Sequence, residues 1–288
     1  MTGGDEGEGE NKFKSPSPYP SPARGEGSLG NPEAKFRGIL LIKKRVFTGN
    51  CKSVFVAGDL HGDYKSFKRI LGMFKKSEDS LLLFLGDYAD RGLKGLEIIT
   101  ELNRLLDKRG DIIALKGNHE MYVDGKPVFS PCDLVCEAET RYVSWEKFFQ
   151  DIMADFLAKL HIAAVINNVL FVHAGISSCI KSAEDLAKPE NETDLLWSDP
   201  SPLKGEFPNI RDAGVTFGED VTDMVLSSLG LKMIVRSHEP KKAAYGPHID
   251  HNGKVITINS CNSYGGLLEP FILRIDTVSL KYEPIFLA

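Results

Sequence analysis

The pentapeptide Gly58-Asp59-Leu60-His61-Gly62 places a carboxylate and an imidazole two residues apart, directly after the apolar run 54–57. A turn needs only the glycines, which take positive φ or allow close backbone approach without a β-carbon penalty. On extended backbone, residues two apart can point the same way, so Asp59 and His61 could be two ligands of one ion. Alone, they read first as turn formers or surface groups, and the metal reading depends on ligands arriving from elsewhere. Four further segments supply them: GDYADRG (86–92), KGNHE (116–120), VHAG (172–175) and VRSHEP (235–240), each following a short apolar run. Each segment is weak evidence by itself; together they form a set of carboxylate, amide and imidazole donors without thiolate. Such a set suits Mn, Fe, Zn or Co better than soft ions, and is too rich in nitrogen for a pure Mg or Ca site.

The elements that must position these residues follow from periodicity. Apolar runs predict strands at 53–57, 81–85, 112–115, 162–166, 169–172, 233–235, 255–258 and 271–275. Helical patterns lie at 65–74, 96–108, 144–160 and 220–229. In 144–160 the residues Trp145, Phe148, Phe149, Ile152, Met153, Phe156, Leu157 and Leu160 define one apolar face, which is core and not a cofactor box. Alternating strands and helices followed by a strand-rich second half predict sheets enclosed by helices, an α/β or α+β sandwich. In such folds chemistry collects in loops beyond the strand ends.

Composition narrows the function classes. With 42% hydrophobic and 26% charged residues, a 288-residue chain can bury a sizeable core. A net charge of −5 and a pI near 5.9 give no broad basic surface, so nucleic acid is not an expected partner. Five cysteines, an odd and sparse set, argue against a disulfide framework and for a reducing compartment. No apolar run approaches the length of a membrane span and no secretory segment is read near Met1, so a cytoplasmic protein without membrane partners is expected. Residues 1–35, rich in Gly, Pro, Ser and Glu, are expected to form a disordered tail, with a single catalytic domain over 36–288.

Taken together, the five segments resemble the calcineurin-like metallophosphoesterases, specifically the PPP type of serine/threonine protein phosphatase. LLWSDP (195–200), TFGEDV (216–221) and INSCNSYGG (258–266) are similar to further segments of that family. INSCNSYGG departs from it in lacking the Pro-Asn-Tyr-Cys run common in eukaryotic members. The resemblance implies a β-sandwich of two mixed sheets flanked by helices. It also implies two divalent metal ions about 3.5 to 4 Å apart, with manganese in vitro and iron or zinc as alternatives. By the same resemblance Asp59 and His61 hold the first ion, Asp87 bridges, and Asn118, His173 and His238 complete the second. A metal-bridging hydroxide is then the implied nucleophile for direct attack on a phosphomonoester. Arg91 and Arg211 are implied to grip the phosphoryl oxygens together with Asn118, and Tyr264 to line the pocket. His119 is implied to protonate the departing alkoxide, with Asp90 holding its ring and raising its pKa. The implied substrate is a phosphorylated protein or peptide; no regulatory subunit is read from the sequence.

Other readings stand beside these. Asp90 could cap a helix starting near Leu93. His161, His248 and His251 match no ligand position, and GPHIDHNG (246–253) reads as a hairpin turn. Cys132 and Cys136, spaced C-x3-C without a second pair, are a weak zinc signal. Among functions, the alternative is a diadenosine tetraphosphate hydrolase or other small-molecule phosphoesterase. Against nucleases and broader phosphodiesterases of the superfamily, the residue two after His238 is Pro240 rather than a second histidine.

Overall fold

In the computed structural model, residues 45–74, 80–265 and 268–287 are described. The expected tail and the domain start near Phe36 lie outside them. The strands in chain order are β1 (Val46–Gly49), β2 (Ser53–Ala57), β3 (Ser80–Phe84), β4 (Ile112–Ala114), β5 (Tyr122–Val123), β6 (Lys126–Pro127), β7 (Ala163–Ile166) and β8 (Val169–Val172). They continue with β9 (Asp199–Pro200), β10 (Glu206–Pro208), β11 (Val215–Phe217), β12 (Met233–Arg236), β13 (His248–Asp250), β14 (Val255–Thr257), β15 (Phe271–Asp276) and β16 (Tyr282–Phe286). One mixed sheet runs β16-β15-β2-β3-β4 and a second runs β1-β7-β8-β12-β14-β13. They pack face to face and are joined at one edge by a parallel bridge between Leu115 and His161.

Period-2 alternation explains the layering. Val54, Val56, Leu81, Leu83, Ile113, Val169, Phe171, Met233 and Val235 point into the core between the sheets. From the same strands, Ala57, Leu82, Phe84, Ile112 and Ala114 point outward, under the helices Tyr64–Met73, Gly95–Lys108 and Asp133–Arg141. Leu170, Val172 and Ile234 pack on the opposite side, under the helices Glu192–Trp197 and Glu219–Leu229. The expected apolar stripe of 144–160 is core: it folds as Trp145–Phe148, a π-helical turn Phe149–Met153 and Ala154–Lys159 against the first sheet. The result is a β-sandwich of two mixed sheets flanked by helices. Sequence periodicity did not find the edge strands β1 and β16 or the helices Asp133–Arg141 and Glu192–Trp197.

Register brings the motifs to one end. In the first sheet Ala57 pairs with Phe84 and Phe84 with Ala114, all in parallel, so β2, β3 and β4 end level. In the second, Phe171 pairs with Val235 in parallel, so the turns after β8 and β12 also leave side by side.

Candidate active site

The turns that follow these five strand ends bury Asp59, His61, Asp87, Asp90, Asn118, His119, His173 and His238 together. Asp59 and His61 do converge, with His61 Nε2 3.7 Å from Asp59 Oδ2, but not on extended backbone. His61 takes φ +41, and the turn closes because Gly62, at φ +68, lies where a Cβ would meet Gly92 carbonyl carbon at 2.8 Å. Asp87 is also left-handed, at φ +56. Glu120 fixes that turn: its carboxylate accepts hydrogen bonds from the main-chain N–H groups of Asp87 (2.9 Å), Gly117 (2.9 Å) and Tyr88 (3.0 Å). Gly117 allows the close approach, since a Cβ there would stand 2.2 Å from Asp87 Oδ1.

Asp87 offers one oxygen to each of two clusters. Oδ2 lies 3.3 Å from His61 Nε2, and Oδ1 lies 3.5 Å from His173 Nε2. In the second cluster Asn118 Oδ1 is 2.9 Å from His173 Nε2 and 3.0 Å from His238 Nδ1, and those two nitrogens are 3.2 Å apart. The tautomers follow from the outer hydrogen bonds. His61 Nδ1 donates to the Ala89 carbonyl at 2.9 Å and His173 Nδ1 to the Leu85 carbonyl at 3.0 Å, which leaves each Nε2 as the donor atom for a metal. Burial pushes His61 down to about 3 and His173 down to about 4, in spite of the nearby Asp59, and burial beside His173 holds His238 well below the ordinary histidine value, so the three imidazoles are neutral. Asp59 Oδ2 and His238 Nε2 are buried without a hydrogen-bond partner among the described residues. Buried carboxylates, neutral imidazoles and an amide oxygen crowded around shared points form a donor set that fits divalent cations. Among the described residues, only His61–Asp87–His119 and Asp87–His173–His238 form such groups of three or more His, Cys, Asp or Glu side chains. The Cys132/Cys136 pair forms none, and no disulfide links the described cysteines.

His119, the third member of the first group, has its Nδ1 2.6 Å from Asp90 Oδ2. Burial opposes its charge, but the attraction of Asp87 and the hydrogen bond it donates to Asp90 outweigh it and raise its pKa to about 9. Asp90 Oδ1 also accepts from Leu134 N–H at 2.8 Å, so it caps the helix Asp133–Arg141 rather than the one after Leu93, which begins at Gly95. Phe129, which the motifs did not single out, packs against the His119 ring with centroids 4.8 Å apart and planes tilted by 52°. Above the clusters is a cleft of about 390 Å³ lined by Arg91, Arg211, His238 and Tyr264, among others. The Arg91 guanidinium lies 4.7 Å over the Tyr264 ring, and Tyr264 Oη is 2.7 Å from His61 Nε2. Arg211 is held by Asp199, which accepts from its Nε at 3.0 Å, from buried Arg236 Nη2 at 2.8 Å and from Asn209 Nδ2 at 3.0 Å. His161, His248 and His251 lie away from the site; His251 links Thr222 Oγ1 (2.8 Å) to the Ser201 carbonyl (3.0 Å) within the hairpin read from GPHIDHNG.

Residues 52–242 match the calcineurin-like phosphoesterase family. The chain belongs to that family. Membership implies divalent metal ions, in agreement with the donor set. Similar calcineurin-like sequences include serine/threonine-protein phosphatase 5 of Arabidopsis thaliana, 36% identical over 229 residues that make up 74% of this chain and 40% of that protein. Serine/threonine-protein phosphatase T of Trypanosoma brucei brucei is 34% identical, covering 74% of this chain and 46% of its own length. The chain thus spans less than half the length of these relatives. In fold, a protein serine/threonine phosphatase from Saccharomyces cerevisiae matches with a TM-score of 0.67 at 23% identity, covering 84% of this chain and 80% of that one. Among the described residues of this phosphoesterase, no helix is long and apolar enough to cross a membrane.

Sequence reading missed Glu120, Asp199 and Arg236. All three stand inside the quoted segments KGNHE, LLWSDP and VRSHEP, so the signal for them was a charged residue in a motif with no chemical role assigned to it.

Proposed function

We propose that the protein is a metal-dependent serine/threonine phosphoprotein phosphatase that hydrolyses phosphomonoesters. The observation that carries this reading is His119, paired with Asp90 at 2.6 Å where two metal-capable groups meet at a shared Asp87. Asp59, His61 and Asp87 would hold one ion, and Asp87, Asn118, His173 and His238 the other. When bound, two such ions supply water acidified toward neutrality and positive charge against the phosphate. Manganese suits the donor set, with iron or zinc as alternatives.

The remaining work falls to the chain's own groups. Arg91 and Arg211 grip the phosphoryl oxygens, where a planar guanidinium binds bidentately, and Asn118 adds its amide. Asp199 keeps Arg211 aimed into the cleft. As water attacks phosphorus in line, the bond from phosphorus to the serine or threonine oxygen breaks and that oxygen takes a proton from His119. A free alkoxide is a poor leaving group, so this proton matters. Asp90 keeps the imidazolium charged and oriented, and Tyr264 closes the wall beside His61. Relatives named as serine/threonine phosphatases and the absence of a second histidine after His238 favour a protein substrate over a nucleic acid or a small phosphodiester. Five cysteines, an odd and sparse set, fit a reducing cytoplasm. The test is hydrolysis by the purified chain with Mn²⁺ of a phosphothreonine peptide against diadenosine tetraphosphate, with a chelator control. Preference for the dinucleotide would overturn the substrate class.

A further inference from the structure

The cleft above the histidines carries more positive charge than one phosphoryl group requires. Lys241 and Lys242 follow His238 by three and four residues and line the same space as Arg91 and Arg211. The single carboxylate in that lining, Glu239, does not cancel them. Its Oε2 is taken from beneath by Arg236 Nη1 at 2.5 Å, and Arg236 is completely buried. Lys242 reaches the same carboxylate at 3.1 Å and the Pro200 carbonyl at 3.4 Å, which fixes its ammonium on the wall. Lys241 is exposed and makes no ion pair among the described residues. Arg91, Arg211, Arg236, Lys241 and Lys242 stand against Asp199 and Glu239, an excess of three positive charges in a chain whose net charge is −5. A phosphate monoester dianion answers two of them.

A lone lysine on a rim is ordinarily a solvated surface group. Here the turn that leaves β12 delivers both lysines to the wall of the cleft that holds the scissile group, and one of them is anchored there. We infer that Lys241 and Lys242 form a second anion subsite, which takes a carboxylate or a second phosphate on the substrate peptide beside the phosphoresidue being hydrolysed. The inference rests on the phosphoprotein phosphatase reading and narrows its substrate class to acidic or multiply phosphorylated segments. Exposed contacts of this kind are individually weak, and two together correspond to about three- to tenfold in kcat/KM. They are also screened by salt.

The test uses the full chain with Mn²⁺ and three phosphothreonine peptides of equal length, flanked by neutral residues, by Asp and Glu, or by a second phosphothreonine. The expected result is a preference of about three- to tenfold for one or both anionic peptides, expressed in KM and erased by high salt. The arm that responds identifies carboxylate or phosphate as the ligand. The preference should vanish in Lys241→Gln/Lys242→Gln, reverse in Lys241→Glu and return in Lys241→Arg. Equal treatment of the three peptides by the wild type, or a preference that survives in the variants, overturns the subsite while leaving the phosphatase reading intact. Failure to hydrolyse any phosphothreonine peptide, with diadenosine tetraphosphate still cleaved, overturns the phosphatase reading and the subsite with it.

Discussion

Glu120→Gln separates the scaffolding of the site from its chemistry. Glu120 is buried, and its two oxygens serve three main-chain donors in the turns that carry Asp87 and Asn118. Glutamine can keep at most the two bonds made by one oxygen, and its amide NH₂ must then face the remaining N–H. A hydrogen bond to a charged acceptor contributes about 1.5–3 kcal/mol, and a stranded buried donor costs about 1–3 kcal/mol. Against this, burial pushes the Glu120 carboxyl above its usual range, so the neutral amide escapes part of a desolvation cost. The balance is a loss of about 2 kcal/mol, which in a domain of this size lowers Tm by about 4–8 °C. Because the left-handed Asp87 turn relaxes with it, metal affinity should fall as well. Thermal unfolding of metal-stripped protein and calorimetric titration with Mn²⁺ read the two effects separately. If the variant melts within about 1 °C of wild type and binds Mn²⁺ equally well, the carboxylate does not hold the turns and the account of Asp87 fails.

Replacing His119 with Asn should lower kcat by about 10²–10⁴ while the metal content stays at the wild-type level, measured by phosphopeptide hydrolysis and elemental analysis. A variant as fast as wild type would remove His119 as proton donor. Asp87→Asn should lose activity and metal together, because both clusters share that carboxylate; full metal occupancy by elemental analysis would contradict the shared-ligand geometry. Glu192 is drawn upward by burial but held below the usual carboxylate range by Lys116 and Arg45, both of which pair with it. A depressed carboxyl pKa stabilises the fold above the unfolded value of about 4.3 and loses that contribution as pH falls through the folded value. Glu192→Gln should therefore cost about 1–3 kcal/mol at pH 7 and much less near pH 3, by denaturant unfolding of the metal-stripped protein; an equal cost at both would refute it.

What the sequence revealed follows how local each signal is. Residues 81–85 read as a strand because Leu82 and Phe84 are buried on one face and Leu81, Leu83 and Leu85 on the other, so the whole run is apolar. Tyr282–Phe286 escaped notice because it is an edge strand, mostly exposed and containing Pro284, and only its pairing with β15 defines it. The helix Asp133–Arg141 buries only Leu134 and Ala138, too thin a stripe to mark a period. In the site, residue types at five strand ends were enough to bring candidate donors into view, since metals select donors by chemistry, while their division between two ions came only from the family resemblance. The arrangement of Asp199 was not legible, because its partners Arg211 and Arg236 lie 12 and 37 residues away and only the fold brings them together. Left-handed backbone at non-glycine residues leaves no trace in composition, so the expected extended geometry of Asp59 and His61 gave way to a turn.

That left-handed backbone ties folding to function. His61, Asp87, Asp90, Arg91 and His238 take φ of +41, +56, +67, +63 and +69, and none can become glycine without losing a side chain to which the proposed function gives a role. At about 1–2 kcal/mol each, the group costs roughly 5–10 kcal/mol, comparable to the whole net stability of a domain. Something must over-determine these turns, and the hydrogen bonds do: the Asp87 carbonyl accepts from Leu60 and His61 N–H at 3.0 and 2.8 Å, the Tyr88 carbonyl from Gly62 N–H at 3.0 Å, and Asp59 Oδ1 from His238 N–H at 3.1 Å. The bonds tie the β2 turn to the β3 turn, and the β12 turn to the β2 turn across the two sheets. Each strained turn is thus braced by a neighbour that is itself strained, and the cluster stands or falls as a unit on the sandwich core beneath it. A ligand residue in this site therefore cannot be moved to another strand end singly; the bracing carbonyls and amides would have to move with it.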